Sequence, residues 1–193
     1  MGFTEHSFAH VTRVAVTAQR ILTETGHSQR DGELAAIAGY LHDIGNMINR
    51  KGHETSGALM AFQLLTAMGM KEEEIATIVT AIGNHDESTA FPVNDVAAAL
   101  IIADKSDVRR SRVRDKDTIA FDIHDRVNYA VTSSVITVDK AQGEILLSLV
   151  IDIEASPLSE YFEIFLSRMI LCRKAADRLG YQFGLIINDQ RMM

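Results

Sequence analysis

Six side chains in this sequence have the types from which transition-metal sites are built: His10, His42, Asp43, His53, His85 and Asp104. Divalent iron, manganese, zinc, nickel and cobalt accept imidazole nitrogen and carboxylate oxygen, and four or more such groups must converge. A carboxylate can also bridge two ions, which an imidazole cannot. Two ions about 3.5–4 Å apart clamp a phosphoryl group and lower the pKa of a shared water. Each residue alone has a plainer reading. A histidine at a helix edge is ordinarily a hydrogen-bonded boundary residue, and Asp104 could pair with Lys105 or Arg109. The dipeptide His-Asp decides nothing, because it occurs at His42-Asp43, His85-Asp86 and His124-Asp125. Context must choose among them.

That context is a run of helices over roughly the first 110 residues. Residues 5–24 place Val11, Val14, Ala15, Ala18, Ile21 and Leu22 at helical spacing, with His10 on the shoulder of the stripe. Asp31 is a plausible N-cap for a second helix carrying Leu34, Ile37, Ala38 and Leu41, with Gly45 as its stop. His42 and Asp43 then end that helix. A third runs from about Glu54 to Met68 with Leu59, Phe62 and Leu65 inward, and His53 stands at its mouth. Glu72, Glu73 and Glu74 open a fourth at the positive end of its dipole, with Ile75, Ile78, Val79 and Ile82 inward and His85 just beyond. The fifth starts at Asn94 or Asp95, and Asp104 follows Val96 and Leu100 on its core face. Five helices therefore each bring an imidazole or carboxylate to an apolar boundary. Inward-facing groups of this kind from several helices are how bundles hold metals.

The period changes after the polar bridge "RSRVRDKD". "YAVTSSVITVD" and "EILLSLVIDI" are rich in β-branched residues and flank the turn-like "KAQG", which predicts a hairpin. Pro157 suits a helix start, residues 157–179 have helical composition, and "FGLIIN" could add a strand. The expected fold is mainly α, a helical bundle with a C-terminal α+β appendage, divided as 1–116 and 117–193. The long helix offers Phe162, Phe165, Met169, Cys172 and Leu179 inward, and Ile164 and Leu171 widen the surface. That is more than one hairpin needs, so a homodimer formed partly through residues 130–180 is expected; docking on the chain's own helical body is the alternative.

Composition narrows the partners. A chain of 193 residues that is 47% hydrophobic can bury a sizeable core. Its net charge of −7 argues against general nucleic-acid binding, which needs a basic surface. No apolar segment reaches the roughly 18 residues of a membrane span, and "MGFTEHSFAHVTR" lacks a signal-peptide core. The lone Cys172 excludes an internal disulfide and reads as core rather than nucleophile. A cytoplasmic protein is expected.

The ordered words "HVTRVA", "LHDIGN", "GHETSGA", "AIGNH" and "IIADKSD" resemble the HD superfamily of metal-dependent phosphohydrolases, over roughly residues 6–112. The late segments are most similar to the HD proteins that hydrolyse diadenosine tetraphosphate. Against that subgroup, the step from Asp43 to His53 is short and "KSDVR" replaces its Ile-Glu-Pro. The Gly-Tyr-Pro hallmark of cyclic-di-GMP cleavage is absent after His85. The resemblance implies that His10, His42, Asp43 and Asp104 hold a first divalent ion. Asp43 would bridge to a second ion held by His53 and His85. It further implies hydrolysis of a phosphate ester or anhydride of a nucleotide or related small molecule by metal-activated water. Asp43, Asp104 and Lys105 would serve the chemistry. A catalytically silent HD-like nucleotide-binding or signalling module is the alternative.

Several neighbours compete or assist. His6 lies one helical turn before His10, but only His10 has Arg-Val-Ala at the right offset. His27 sits on a loop and either brushes substrate or faces solvent. His124-Asp125 is expected outside the site, with Asp86 at most behind the ligands. Lys105, Arg109, Arg110, Arg112 and Arg114 reverse the local sign of an acidic chain. Lys105, Arg109 and Arg112 share one helical face at i, i+4 and i+7 and could hold the far phosphates of a nucleotide; a solvated helix end is the alternative.

Overall fold

The computed structural model describes residues 8–113 and 121–193. At its centre lies α5 (Asp95–Ser106), buried at every residue from Val96 to Ala103. A helix apolar all round must be enclosed. Asn94 starts it by accepting from the Ala97 N–H at 2.7 Å. Around it pack α1 (Phe8–Glu24), α2 (Gln29–Leu41), α4 (Glu72–Gly83) and, from the C-terminal region, α7 (Leu158–Arg178). On α1 the predicted stripe of Val14, Ala18, Ile21 and Leu22 is buried. The α2 cap is Ser28, three residues earlier than predicted. Asp31 closes a capping box with it, which is why a carboxylate there looks like a cap.

α3 (His53–Ala67) packs on α4 with a different face than predicted. Leu59 and Phe62 are 63% and 51% exposed, whereas the i+4 row of His53, Gly57, Ala61 and Leu65 is buried. Two close approaches fix that rotation. A Cβ on Gly45 would lie 2.0 Å from the His53 carbonyl oxygen and 2.6 Å from the Gly57 nitrogen. Gly45 is thus not the stop of α2, which ends at Leu41. It is buried in a short 3-10 helix, Ile44–Met47, against the start of α3. Gly52, at φ 75°, makes the left-handed turn that sets His53 as the first helical residue.

The C-terminal region begins with α6 (Ile123–Ala130), which the sequence analysis did not predict. Its eight residues include four polar ones, too short and mixed for a clear period, and Asp122 caps it. The predicted hairpin follows as β1 (Val131–Asp139) and antiparallel β2 (Glu144–Ile151). After α7, β3 (Gln182–Ile187) returns parallel to β2, and β4 (Gln190–Arg191) closes the order β1-β2-β3-β4. One continuous apolar core joins bundle and sheet. α7 lays its buried residues, Phe165, Met169, Cys172 and Ala176 among them, against α5 and β3. Of the wide apolar surface that suggested a homodimer, Phe165, Met169, Leu171 and Cys172 are covered within the chain, while Phe162 and Ile164 are partly buried. Burial pushes the Cys172 thiol up to about 12, as a core cysteine requires. Among the described residues, no helix is long and apolar enough to cross a membrane.

Candidate metal centre

The five helices of the bundle meet at one end. α1 and α3 arrive by their N-terminal turns with His10 and His53. α2, α4 and α5 arrive by their C-terminal ends with His42-Asp43, His85 and Asp104. Three helix C-termini carry partial negative charge toward the same place against two N-termini of opposite sign, a balance that favours a cation there.

Backbone carbonyls fix the histidine tautomers. His42 Nδ1 donates to the Gly39 carbonyl at 2.7 Å, His85 Nδ1 to Ile82 at 2.6 Å, and His53 Nδ1 to Arg50 at 3.0 Å. A carbonyl can only accept, so each Nδ1 bears the proton and each neutral ring turns an Nε2 lone pair into the site. His10 is oriented by a carboxylate instead, through Nδ1 to Asp107 Oδ2 at 2.7 Å. The Nε2 atoms of His53 and His85 face each other at 3.2 Å. His42 Nε2 is buried and makes no hydrogen bond to any described residue. Acceptor atoms packed toward one another fit a divalent cation.

Asp43 divides the cluster. Its Oδ2 lies 3.3 Å from His42 Nε2 and 3.7 Å from His10 Nε2, and Asp104 Oδ1 lies 3.3 Å from His10 Nε2. Its Oδ1 turns the other way, 3.4 Å from His53 Nε2, and accepts from Asn46 Nδ2 at 2.7 Å. Ligand atoms of His10, His42 and Asp104 lie within 4.8 Å of one another, as do those of His42, Asp43 and His85. The second half also contains a resident cation. Arg50 Nη1 is 3.2 Å from His53 Nε2 and 3.6 Å from Asp43 Oδ1.

Charge bears out the same demand. Burial alone would lower His42, but Asp43 and then Asp104 outweigh it and hold the imidazole above its ordinary value. Burial, with His42 and Lys105 adding to it, pushes His85 down to about 3, so it stays neutral. Burial and Arg50 lower His53. Burial would raise Asp104, yet Lys105 and the imidazoles hold it well below the usual carboxylate range. The pocket asks for positive charge and keeps Asp104 ionised.

A cleft opens over this cluster, lined by Asp43, His53, His85, Asp104 and Lys105 on its floor. Lys105 Nζ donates to Asp104 Oδ2 at 2.6 Å. Arg112 reaches the same cleft and donates from Nη1 to the Asp107 carbonyl at 2.7 Å. The shared helical face of Lys105, Arg109 and Arg112 is not formed. α5 ends at Ser106 and Arg109 is extended, so Arg109 turns away and donates from Nε to Asp107 Oδ1 at 2.8 Å. His124, expected outside the site, lines the cleft, while its neighbour Asp125 is buried beside it in α6. His27 pairs with Asp95 at the end of α5 opposite Asp104. Asp86 Oδ1 lies 3.9 Å from Arg50 and 4.0 Å from His53, behind the ligand atoms. His6 and Arg114 lie outside the described residues. Sequence reasoning missed Asp107, Arg50, Asn128 and Arg168. Asp107 alone left a signal, three residues after Asp104 in "DKSD".

The HD domain family profile matches residues 7–126, more than half of the chain. No curated protein and no solved structure matches it. Its match spans all six convergent residues, from His10 to Asp104. On that match the chain belongs to the HD domain family.

Proposed function

We propose that the protein is a metal-dependent phosphohydrolase acting on a phosphate ester or anhydride of a nucleotide or related small molecule. HD domains bind divalent metals and are mostly hydrolases. The observation that carries the reading is the set of Nε2 lone pairs fixed by Nδ1 donation and gathered around the carboxylates of Asp43 and Asp104. His10, His42, Asp43 and Asp104 would hold one ion. His53 and His85, with the far oxygen of Asp43, would hold a second. A divalent ion such as iron, manganese, zinc, nickel or cobalt supplies Lewis-acid charge and a more acidic water when bound.

The chain's own residues do the rest. Asp107 holds His10 in place and Gly39 holds His42, so neither ring has to reorganise to bind. Asp43 offers one oxygen to each half of the cluster. Lys105 and Arg112 line the cleft where phosphoryl oxygens would lie and stabilise the charge that develops on them. Arg109 acts through Asp107 rather than on substrate.

The test is purified protein loaded with manganese and offered nucleotides, dinucleotides and phosphomonoesters. Turnover is expected, and a chelator or Asp43→Ala should abolish it. Metal uptake without turnover across that panel would point to the catalytically silent module.

A further inference from the structure

The cleft has a second wall that the metal ligands leave unused. Arg168 of α7, with His124 and Asn128 of α6, faces the cluster, and Arg50, Lys105 and Arg112 line the same space. Four cations meet three carboxylates, Asp43, Glu87 and Asp104, in a chain whose net charge is −7.

Arg168 is held rather than loose. Its Nε donates to Glu87 Oε1, and Glu87 also accepts from Ser167. Its guanidinium lies 4.4 Å from the centroid of the Phe165 ring. Among the described residues no partner bonds its two η nitrogens. A guanidinium anchored at Nε and stacked on a ring presents its remaining donors with little further ordering. Glu87 follows His85 by two residues, so the segment that brings a candidate ligand also aims Arg168.

Size adds the second constraint. The cleft is small, about 60 Å³, and partly open to solvent. A water needs roughly 10–15 Å³, so the space beside the cations is scaled to a phosphoryl group and a few waters, with the rest of a substrate toward the open side. Building on the phosphohydrolase reading, we infer that Arg168 is a substrate-binding residue which, with Arg112, selects a terminal phosphate monoester dianion. An internal phosphodiester carries one charge and two bulky substituents. It matches the charge of the cation pair less well.

Inorganic phosphate is the probe, titrated by calorimetry into the manganese-loaded full chain, with metal content measured beforehand. Arg168→Gln is expected to weaken phosphate about tenfold, the loss of one charge-assisted contact, with metal content unchanged. Arg168→Lys keeps the charge without the fork and should weaken it less. Glu87→Gln frees the guanidinium and should weaken it by about threefold, which keeps the idea testable if Arg168→Gln does not fold. With p-nitrophenyl phosphate, the same variants should raise KM and leave kcat nearly unchanged. Phosphate bound equally well by wild type and the Arg168 and Glu87 variants overturns the inference and leaves the metal reading standing. Wild-type protein that takes up no metal overturns both.

Discussion

Asp107 is absent from the metal-ligand types that spacing picks out, yet it orients the first of them. Its Oδ2 accepts from His10 Nδ1 at 2.7 Å, while Arg109 and Arg13 pair with its Oδ1. Burial would raise its pKa, but the His10 and Arg109 contacts hold it below the ordinary carboxylate value. Asp107→Asn keeps the shape and removes that charge, so His10 loses a strong acceptor. Metal affinity is expected to fall about 10–100-fold, the usual cost of losing such a partner, with the ligand set intact. Unchanged affinity in a metal titration would show that the carboxylate only fills space. Arg50 sets a different balance. Its guanidinium beside His53 and Asp43 competes with a second ion. Arg50→Ala should tighten the second metal equivalent, and the His53→Ala/His85→Ala double variant should lose it while keeping the first. The same metal content in wild type and both variants would refute a two-ion site.

Among elements, the crossing of α1 and α2 helps to assemble the centre, because the pair brings His10 to His42. Their rings lie 5.3 Å apart, centroid to centroid. Gly39 makes that approach possible: a Cβ there would sit 2.7 Å from Ala15 Cα and 2.8 Å from Ala15 N. Both neighbours are backbone atoms, so the helices themselves must separate. Gly39→Ala is expected to cost about 1–3 kcal/mol, as overpacking does, and to weaken metal binding along with stability. Denaturant midpoints and metal titration of the same sample check both. A stability within about 0.5 kcal/mol of wild type, typical of a surface change, would mean that the crossing tolerates the methyl.

At the scale of the molecule, the C-terminal region is part of the wall of the bundle. α7 covers one side of α5, and one core runs from Val14 to Ile187. Deleting residues 117–193 would uncover that side of α5. The truncated chain is expected to lose its cooperative thermal transition and its metal together, even though every candidate ligand precedes the cut. A soluble fragment of residues 1–116 that melts cooperatively and binds metal would show the bundle to be autonomous. Because the inner face of α7 is occupied, sedimentation of the full chain at micromolar concentration is expected to give a single species at the 21.3 kDa chain mass. A species of twice that mass would put a homodimer contact on some other face.

The sequence by itself determined which residues converge. The helical periods of α1 and α4 are strong, each helix has an imidazole or carboxylate at a boundary of its apolar run, and the resemblance to the HD superfamily implied which of those ends meet. The hairpin was equally legible from β-branched runs around "KAQG", because strand character is local. Only the tertiary structure decided the rotation of α3, where glycine contacts with the preceding turn outweigh the pull of Leu59 and Phe62. It also decided that α5 stops at Ser106, which parts Arg109 from Lys105 and sends Arg112 back to the cleft. It brought Arg168 and His124 to the site from 64 and 20 residues beyond Asp104, as fold topology rather than spacing dictates. Periodicity reports which face of an element is buried. Which distant element covers that face is settled by packing, and the substrate side of this cleft is built from such encounters.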